Sequence, residues 1–308
     1  MKIMVTGGAG FIGSNFIHYM LNAYSDVKIV NVDALTYAGN LSNVKGLEKN
    51  KNYSFVKADI CNYEKMCEVM KDCDSVVNFA AESHVDNSIH SDDNFVKSNI
   101  EGTHSLLKAA RKTNLKKFMQ ISTDEVYGSI AKGSATEQSA LNPSSPYSAS
   151  KTAADMLCNA YFHTFGLDVV ITRTVNNFGP RQFPEKFIPT VITNALANRK
   201  IPIYGNGMQI RNWIYVDDNC TALDIVLSKG KKGEVYNIAG NDELENIKLA
   251  RKILDLMKKP HSLLEHVTDR LGHDVRYSLD DKKLRAVGFK PDNNLDKGLQ
   301  STIDWYTK

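Results

Sequence analysis

The chain has 308 residues, slightly more than the ~250–300 at which a single hydrophobic core stops growing, so one large or two coupled domains are expected. A net charge of +3 with dispersed Lys and Arg argues against nucleic-acid binding, and five cysteines without a Cys-x-x-Cys pair exclude a disulfide framework or a metal site. No apolar run approaches the ~18 residues that cross a bilayer, and no leader pattern precedes the first strand-like run, so we expect a cytoplasmic protein without membrane contact.

The first half of the chain alternates strand-like and helical stretches. Strands are predicted at residues 3–6, 28–32, 53–57, 75–79, 117–122 and 168–172, and helices near 12–24, 62–71, 91–113 and 145–165. The Val, Ile and Phe residues of the strands form mostly continuous runs, which favours a parallel sheet covered on both faces. The alternation therefore predicts a Rossmann-like, doubly wound α/β sheet.

After residue 173 this alternation breaks. Residues 176–212, rich in Asn, Gly, Pro and Arg, predict a loop-rich insertion around a helix near 187–198. Strands are predicted at 213–216 and 235–238 around a helix at 217–227, and three helical stretches follow, the last at 293–306. We expect a large domain of residues 1–175 plus 213–239 and a smaller C-terminal α+β domain of residues 176–212 plus 240–308.

A glycine-rich turn, Gly7-Gly8-Ala9-Gly10-Phe11-Ile12-Gly13, follows the first predicted strand and opens the first helix. Gly7 permits the tight turn, Gly10 lets the backbone approach a pyrophosphate, and Gly13 allows close packing of helix on strand. Asp33 lies 20 residues after Gly13 and can accept hydrogen bonds from a ribose 2′-hydroxyl, whereas it would repel a 2′-phosphate. A plain turn is the alternative for the glycines alone. In this context they predict that the large domain binds NAD rather than NADP.

Tyr147 and Lys151, in Tyr-Ser-Ala-Ser-Lys, lie four residues apart and so share one helix face. This pair and the GxxGxxG glycine spacing are typical of short-chain dehydrogenases. Lys151 is expected to lower the pKa of Tyr147 and to hold the nicotinamide ribose, which makes the tyrosinate a base for a sugar hydroxyl. Such pairs are also common on solvated helix faces, but behind a dinucleotide fold the catalytic interpretation is favoured.

Asp124 and Glu125 follow Thr123 at the end of a predicted central strand, where open α/β sheets bind their ligands. Two adjacent carboxyls there could divide acid and base roles if their surroundings separate their pKa values. The alternative is a solvated loop start, since neighbours in a strand point to opposite faces. Both carboxyls reach one substrate only if the strand ends here, which the nearby Gly128 favours.

The sequence resembles the dTDP-glucose 4,6-dehydratase family, within the extended short-chain dehydrogenase/reductase class, over essentially its whole length. The resemblance lies in VTGGAGFIGSNF, NVDALTYAGNLSNV, FAAESHVDNSI, ISTDEVYG, PYSASK, NNFGPRQFPEKFIP, IPIYGNG, RNWIYVDD and DRLGHDVRYSLD, in the family's order. It implies an NAD-dependent lyase that oxidises carbon 4 of the sugar, eliminates water across carbons 5 and 6, and returns the hydride to carbon 6. It makes Tyr147, whose pKa is adjusted by Lys151, the base that removes the proton of the 4-hydroxyl. It also makes Glu125 the base at carbon 5, Asp124 the acid for the 6-hydroxyl, and Thr123 a contact near the 4-oxygen.

The resemblance further implies two sets of ligand contacts. Those of the cofactor are Gly7, Gly10, Phe11, Ile12, Gly13, Asp33, Leu35, Thr36, Asp59, Ile60, Ala80, Ala81, Ser83, Ser98, Tyr147, Lys151 and Asn177. Those of dTDP-glucose are His84, Thr123, Asn176, Lys186, Phe187, Pro202, Ile203, Tyr204, Arg211, Asn246, Arg270 and His273, mostly in the smaller, sugar-nucleotide-binding domain. Arg211 and Arg270 could clamp a diphosphate, and Tyr204 could stack on a base, although a surface arginine and a core tyrosine are the plain alternatives.

Three positions depart from the family pattern. Asn87 stands where Arg is usual, Asn212 replaces the Asp of an Arg-Asp-Trp stretch, and Leu271 replaces the Pro of DRPGHD. None of them removes a catalytic group, but they leave the choice between dTDP and UDP open, and the downstream deoxysugar, rhamnose or another, stays open as well.

Function and assembly each allow more than one interpretation. A UDP-sugar 4-epimerase, or a 4,6-dehydratase of another nucleotide sugar, would use the same Tyr147 and NAD. Epimerisation needs no acid for a leaving hydroxyl, so the pair Asp124 and Glu125 favours dehydration. A non-catalytic NAD-binding protein would have no need of these groups.

The helices near 91–113 and 145–165 resemble those that pair in homodimers of this class. The alternative is that they only cover the sheet.

Overall fold

Twelve strands form three separate sheets in the computed structural model, which describes residues 1–308. The strands are β1 (Lys2–Thr6), β2 (Lys28–Asp33), β3 (Tyr53–Lys57), β4 (Ser75–Asn78), β5 (Lys117–Thr123), β6 (Val169–Thr174), β7 (Asn176–Phe178), β8 (Ile201–Tyr204), β9 (Ile210–Tyr215), β10 (Val235–Ile238), β11 (Asp242–Glu245) and β12 (Leu264–Val267). The largest sheet has seven strands in the order β10-β6-β5-β4-β1-β2-β3. The second has the order β11-β9-β7, and the third pairs β12 with β8.

Every neighbouring pair in the seven-stranded sheet is parallel. The strand order runs from β1 to β3 in one direction and from β4 to β10 in the other, so the direction of winding switches between β1 and β4. This is the arrangement of a doubly wound sheet, in which ligands bind outside the carboxyl ends of the strands at the switch. The predicted Rossmann-like α/β class is confirmed.

Helices cover both faces of this sheet, and further helices pack elsewhere in the chain. In chain order the α-helices are α1 (Phe11–Ala23), α2 (Tyr63–Met70), α3 (Val85–His90), α4 (Asp93–Phe95), α5 (Gly102–Lys112), α6 (Pro146–Phe165), α7 (Phe187–Leu196), α8 (Val216–Lys229), α9 (Asn246–Leu256), α10 (Lys282–Ala286) and α11 (Leu295–Tyr306). One buried cluster joins the sheet to α1 and α8, and a second joins it to α2, α5 and α6. None of these helices combines length with apolar character to the degree that a membrane crossing requires.

A third buried cluster lies away from the main sheet, where α7, α9 and α11 pack on β8 and β9. The chain leaves the main sheet after β6 and returns to it with β10, whose four residues pair with β6. β9 begins three residues earlier than the strand predicted at 213–216, and it pairs with β7, which was not predicted. The division into two domains with the predicted borders stays a prediction.

The start of α6 shows why the chain places Tyr147 and Lys151 where it does. The Ser145 hydroxyl accepts from the Ser148 backbone N–H, and the Ser148 hydroxyl accepts from the Ser145 backbone N–H. This reciprocal capping box, with Pro146 in the first helical turn, fixes the helix start and therefore the first two turns that carry both side chains.

A buried ion pair joins α6 to β6. The Arg173 Nε donates to the Asp155 Oδ2 at 2.9 Å, and the Arg173 Nη1 donates to the Tyr127 hydroxyl at 2.8 Å. The Arg173 side chain is 3% exposed and the Asp155 side chain is fully buried. Each charge therefore depends on the other for its compensation, because water cannot replace the partner.

Asp155→Ala should lower the free energy of unfolding by about 3–5 kcal/mol, since it leaves the Arg173 guanidinium buried without its counter-charge. Lys116→Ala is the matched control, because Lys116 bonds Asp74 at 2.6 Å while its side chain is 77% exposed. The control should cost less than about 1 kcal/mol. Guanidinium unfolding curves of both variants measure this, and equal costs would contradict the role given to burial.

Candidate active site

A cavity of about 320 Å³ lies at the carboxyl edge of the seven-stranded sheet. It is bordered by the residues that end or follow β1, β2, β4, β5 and β6, with Gly7, Asp33, Ala80, Thr123 and Thr174 among its walls. It therefore spans the point between β1 and β4 at which the winding direction switches, the position at which such sheets bind ligands.

The glycine turn forms one wall of this cavity. Glycines are needed there because a side chain would collide with neighbouring backbone. Gly7 has φ +67°, and a Cβ on it would lie 2.7 Å from the Ala80 backbone nitrogen. A Cβ on Gly13 would lie 2.5 Å from the Gly7 carbonyl oxygen. Gly10 precedes α1 without any side chain to cap it, so the first N–H groups of the helix are left for an anion.

Asp33 is held in place by two backbone groups. Its Oδ1 accepts from the Leu35 N–H at 2.8 Å and its Oδ2 from the Ala9 N–H at 2.9 Å. Burial raises the pKa of Asp33, and the hydrogen bonds from Leu35 and Ala9 oppose this rise without cancelling it. Each carboxylate oxygen keeps a second lone pair, so Asp33 can still accept from a ribose hydroxyl in the cavity.

All but one of the predicted cofactor contacts line this single cavity. The exception is Leu35, whose backbone N–H holds Asp33 instead. Asn177 donates through Nδ2 to Thr174 and Val175, whereas its Oδ1 is buried without a partner. That free acceptor suits the carboxamide of a nicotinamide, and the glycine turn suits a pyrophosphate, so the residues present fit NAD.

Tyr147 and Lys151 both face the cavity from α6. The Lys151 Nζ donates to the Ile121 carbonyl oxygen at 2.6 Å, which leaves two of its three donors for ribose hydroxyls. Burial lowers the pKa of Lys151 to about 8. Burial, with the nearby Glu125 charge, raises the pKa of Tyr147. This shift is opposite to the lowering expected from Lys151, because desolvation of the phenolate and the neighbouring Glu125 charge dominate.

The backbone turn after β5 brings both predicted carboxyls into the cavity wall. β5 ends at Thr123, a short 3₁₀ turn covers Asp124–Tyr127, and Gly128 follows with φ +69°. The Thr123 hydroxyl accepts from the Glu125 N–H at 3.3 Å and donates to the Asp124 Oδ1 at 3.2 Å. The strand thus ends where the sequence predicts, and neighbouring side chains no longer point to opposite faces.

The two carboxyls differ in the charges around them. Burial, followed by the Glu125 charge, raises the pKa of Asp124 to about 8, and the Asp124 Oδ2 has no hydrogen-bond partner. Burial also raises the pKa of Glu125, and Arg270, Arg211 and Lys186 reduce this rise without cancelling it. At neutral pH Asp124 therefore keeps its proton, while Glu125 is the carboxyl that positive charges favour in its ionised form.

The predicted substrate contacts divide into two groups. Thr123, Asn176 and Lys186 line the cavity, and the Lys186 Nζ donates to the Ser83 carbonyl oxygen at 2.8 Å. The others lie outside its wall: His84, Phe187, Pro202, Ile203, Tyr204, Arg211, Asn246, Arg270 and His273. Two of these have other tasks in the protein. Phe187 stacks on Trp213, and Arg211 is buried with its guanidinium bonded to the Ile210 and Asp274 carbonyl oxygens.

Asp86, which sequence reasoning missed, ties two of the outlying residues together. The Tyr204 hydroxyl donates to its Oδ2 at 2.8 Å, and the Arg270 Nη1 donates to its Oδ1 at 3.2 Å. Burial raises the pKa of Asp86, but these two partners hold it below its usual range. The Arg270 Nε is buried without a partner. Asp86 thus orients Arg270, whose Nε–H is still available to donate to a ligand. In the sequence, the only indication of Asp86 was its position two residues after His84.

The cavity wall also contains residues that were not predicted from the sequence, among them Tyr37, Glu82, Phe183 and Glu185. The Tyr37 and Phe183 rings meet edge to face with centroids 5.5 Å apart, which joins the loop after β2 to the loop before α7 across the cavity.

The three departures from the family pattern lie in different settings. Asn212 is buried, and its amide exchanges two hydrogen bonds with the Gly240 backbone, at 2.8 and 3.2 Å. It therefore has a structural task between β9 and β11. Asn87 is exposed on α3, and Leu271 is 77% exposed.

Comparisons with known proteins cover nearly the whole chain. The family model described as GDP-mannose 4,6 dehydratase matches residues 4–302. The Low-salt glycan biosynthesis protein Agl12 of Haloferax volcanii is 49% identical over 306 residues, 99% of this chain and 98% of its own. A dTDP-glucose 4,6-dehydratase of Streptomyces niveus is 46% identical over 311 residues, 99% of this chain and 93% of its own. The crystal structure of DesIV, a dTDP-glucose 4,6-dehydratase of Streptomyces venezuelae with NAD bound, superposes with a TM-score of 0.98 at 44% identity, covering 100% of this chain and 97% of that one.

Asp124→Asn should become more stable relative to the unchanged protein as the pH rises from 4 to 8. The folded pKa of Asp124, about 8, exceeds the ordinary 3.8, so its contribution to stability is complete below the unfolded pKa and is lost as the pH rises through the folded pKa. Asn cannot ionise and avoids this loss.

Melting temperatures at pH 5 and pH 8 measure the effect, with the exposed Asp26→Asn as the control for removing one surface carboxyl. A difference between Asp124→Asn and the unchanged protein that is the same at both pH values would contradict the raised pKa.

Proposed function

The chain belongs to the family of nucleotide-sugar dehydratases that the GDP-mannose 4,6 dehydratase model describes, and we propose that it is an NAD-dependent dTDP-glucose 4,6-dehydratase. The observation that carries this function is the pair Asp124 and Glu125, of which Asp124 has a pKa raised to about 8 and Glu125 faces three cations, in the cavity wall that also holds Tyr147 and Lys151. A pure oxidoreductase or an epimerase has no use for an acid that remains protonated at neutral pH beside a base.

Oxidation at carbon 4 is the task of Tyr147 and Lys151. Tyr147 removes the proton of the 4-hydroxyl, and Thr123, which caps the turn beside it, binds the 4-oxygen. Lys151 holds the ribose with its free donors. When bound, NAD accepts the hydride of carbon 4, returns it to carbon 6, and adds a positive charge that favours the phenolate.

Elimination is the task of the two carboxyls. The 4-keto group acidifies the proton at carbon 5, and Glu125 removes it as a carboxylate. Asp124, protonated because of its burial, gives its proton to the 6-hydroxyl, which leaves as water. The bonds from carbon 5 to hydrogen and from carbon 6 to oxygen break while a double bond forms between the two carbons. When the hydride returns to carbon 6, carbon 5 takes up a proton from Glu125, and the product is dTDP-4-keto-6-deoxyglucose.

Substrate binding extends from the cavity to the residues around Asp86. Lys186 and Asn176 lie at the sugar end, in the cavity wall. Arg270, held by Asp86 and with its Nε unpaired, is placed to bind the diphosphate, and the partly exposed Tyr204 ring to stack on the base. Arg211 acts through its buried positive charge, which favours the ionised form of Glu125.

The protein is proposed to work in the cytoplasm as a homodimer. α5 and α6 pack on one face of the sheet, and α6 still exposes two large apolar side chains, Met156 and Phe165. This apolar surface on α6 supports pairing with the same helices of a second copy. The name of the Haloferax relative supports a product destined for glycans, as a deoxysugar such as rhamnose.

The purified protein, incubated with dTDP-glucose and no added NAD, should form the 4-keto-6-deoxy product, because the cofactor is regenerated in each cycle and stays bound. NMR of the product and parallel assays with UDP-glucose measure activity and preference. Formation of an epimer, or no product even with NAD supplied, would refute the dehydratase.

Glu125→Gln should lower product formation by roughly 10²-fold or more, because an amide cannot take the proton at carbon 5. The first oxidation should still proceed, visible as absorbance of reduced nicotinamide in a stopped-flow trace. The exposed Glu64→Gln on α2 is the matched control and should keep full turnover. Full turnover of Glu125→Gln would show that another group is the base.

A further inference from the structure

Three side chains lead from Glu125 to the protein surface. The Tyr277 hydroxyl lies 3.5 Å from the Glu125 Oε2 and donates to the Asp274 Oδ2 at 2.7 Å. The same Asp274 oxygen accepts from the Ser144 hydroxyl. Tyr277 and Asp274 are buried, whereas Ser144 is exposed, so the series starts in the cavity wall and ends in solvent.

The fold holds these groups in line. The Arg211 guanidinium lies 4.2 Å from the centroid of the Tyr277 ring and donates to the Asp274 carbonyl oxygen at 2.9 Å. Ser144 immediately precedes the capping box of α6, which fixes its backbone. Burial raises the pKa of Tyr277, so its phenol stays neutral and always has a proton to pass on.

We propose that Tyr277, Asp274 and Ser144 form a proton path that connects the base Glu125 with solvent. The path rests on the proposed function, because it serves the proton that Glu125 takes from carbon 5. None of its three members touches the sugar in this role. They act through Glu125, by restoring its carboxylate.

The transfer balances without any co-reactant. Protonated Glu125 gives its proton to the Tyr277 oxygen while Tyr277 gives its own to the Asp274 carboxylate, and Asp274 then releases a proton to water by way of the Ser144 hydroxyl. The net result is one proton moved from Glu125 to solvent. The separation of Glu125 and Tyr277, 3.5 Å, is long for such a bond, and the path requires it to shorten when substrate binds, as hydrogen bonds in catalytic sites commonly do.

The path determines which hydrogen is found at carbon 5 of the product. With the path intact, Glu125 exchanges its proton with solvent before carbon 5 is protonated again. With the path cut, the proton taken from the substrate returns to the same carbon. Both routes give the same compound and differ only in isotope when the solvent is D₂O.

The experiment is turnover of dTDP-glucose in D₂O by the full-length protein, with deuterium at carbon 5 measured by NMR and mass spectrometry. The unchanged protein should give product deuterated at carbon 5. Tyr277→Phe keeps the ring under Arg211 but lacks the hydroxyl, and Asp274→Asn keeps the shape but cannot take up a proton. Both should show a severalfold lower deuterium content. The content is counted per product molecule, so a smaller active fraction does not alter it.

Tyr24→Phe is the control, since the Tyr24 hydroxyl also donates to a carboxylate, the Asp224 Oδ2 at 2.7 Å, but lies outside the cavity, and its product should match that of the unchanged protein. Wild-type deuterium content in both path variants overturns the path, as does an equal loss in the control, or product without deuterium from the unchanged protein. Loss of turnover in both path variants also overturns it, because internal return of the proton needs no route to solvent. Failure of the unchanged protein to form any keto product refutes the proposed function instead, and the path with it.

Discussion

The site depends on the desolvation of two carboxyl groups that are neighbours in the chain. Water would ionise both Asp124 and Glu125, and two like charges would then repel each other without distinct roles. Burial raises the pKa of each. Arg270, Arg211 and Lys186 oppose this rise at Glu125 from three different segments of the chain, whereas Arg211 is the cation that opposes it at Asp124. The end of β5 and the turn at Gly128 place the two carboxyls side by side, and the segments that carry the three cations create the difference between them.

The sequence predicted those parts of the site that depend on local spacing. The glycine turn, Asp33, and the pair Tyr147 and Lys151 each sit at a fixed separation that has a direct geometric meaning. The doubly wound sheet followed from continuous apolar runs, and it is confirmed. The capping box at Ser145 is equally local and explains why the helical pair could be read from spacing alone.

What the sequence could not predict depends on contacts between distant segments. The role of Asp86 depends on its contacts with Tyr204 and Arg270, which lie far away in the sequence. The roles of Asp274 and Tyr277 depend in the same way on their position beside Glu125, which no sequence spacing predicts. The short strands β8 and β12 have too few residues to show a period. The direction of the Tyr147 pKa was expected to be downward, and it is upward, because burial depends on the whole fold whereas the Lys151 charge is visible in the sequence.

β10 shows that the seven-stranded sheet cannot be separated from the rest of the chain. It pairs with β6 at the edge of this sheet, yet it comes after the residues that form α7, β8 and β9. In a fragment ending at residue 175, β6 would become an exposed edge strand with unpaired backbone groups facing water. Every residue of this strand is buried in the intact protein. Joining the first six strands of this sheet end to end to a foreign C-terminal region would therefore lose the strand that completes it.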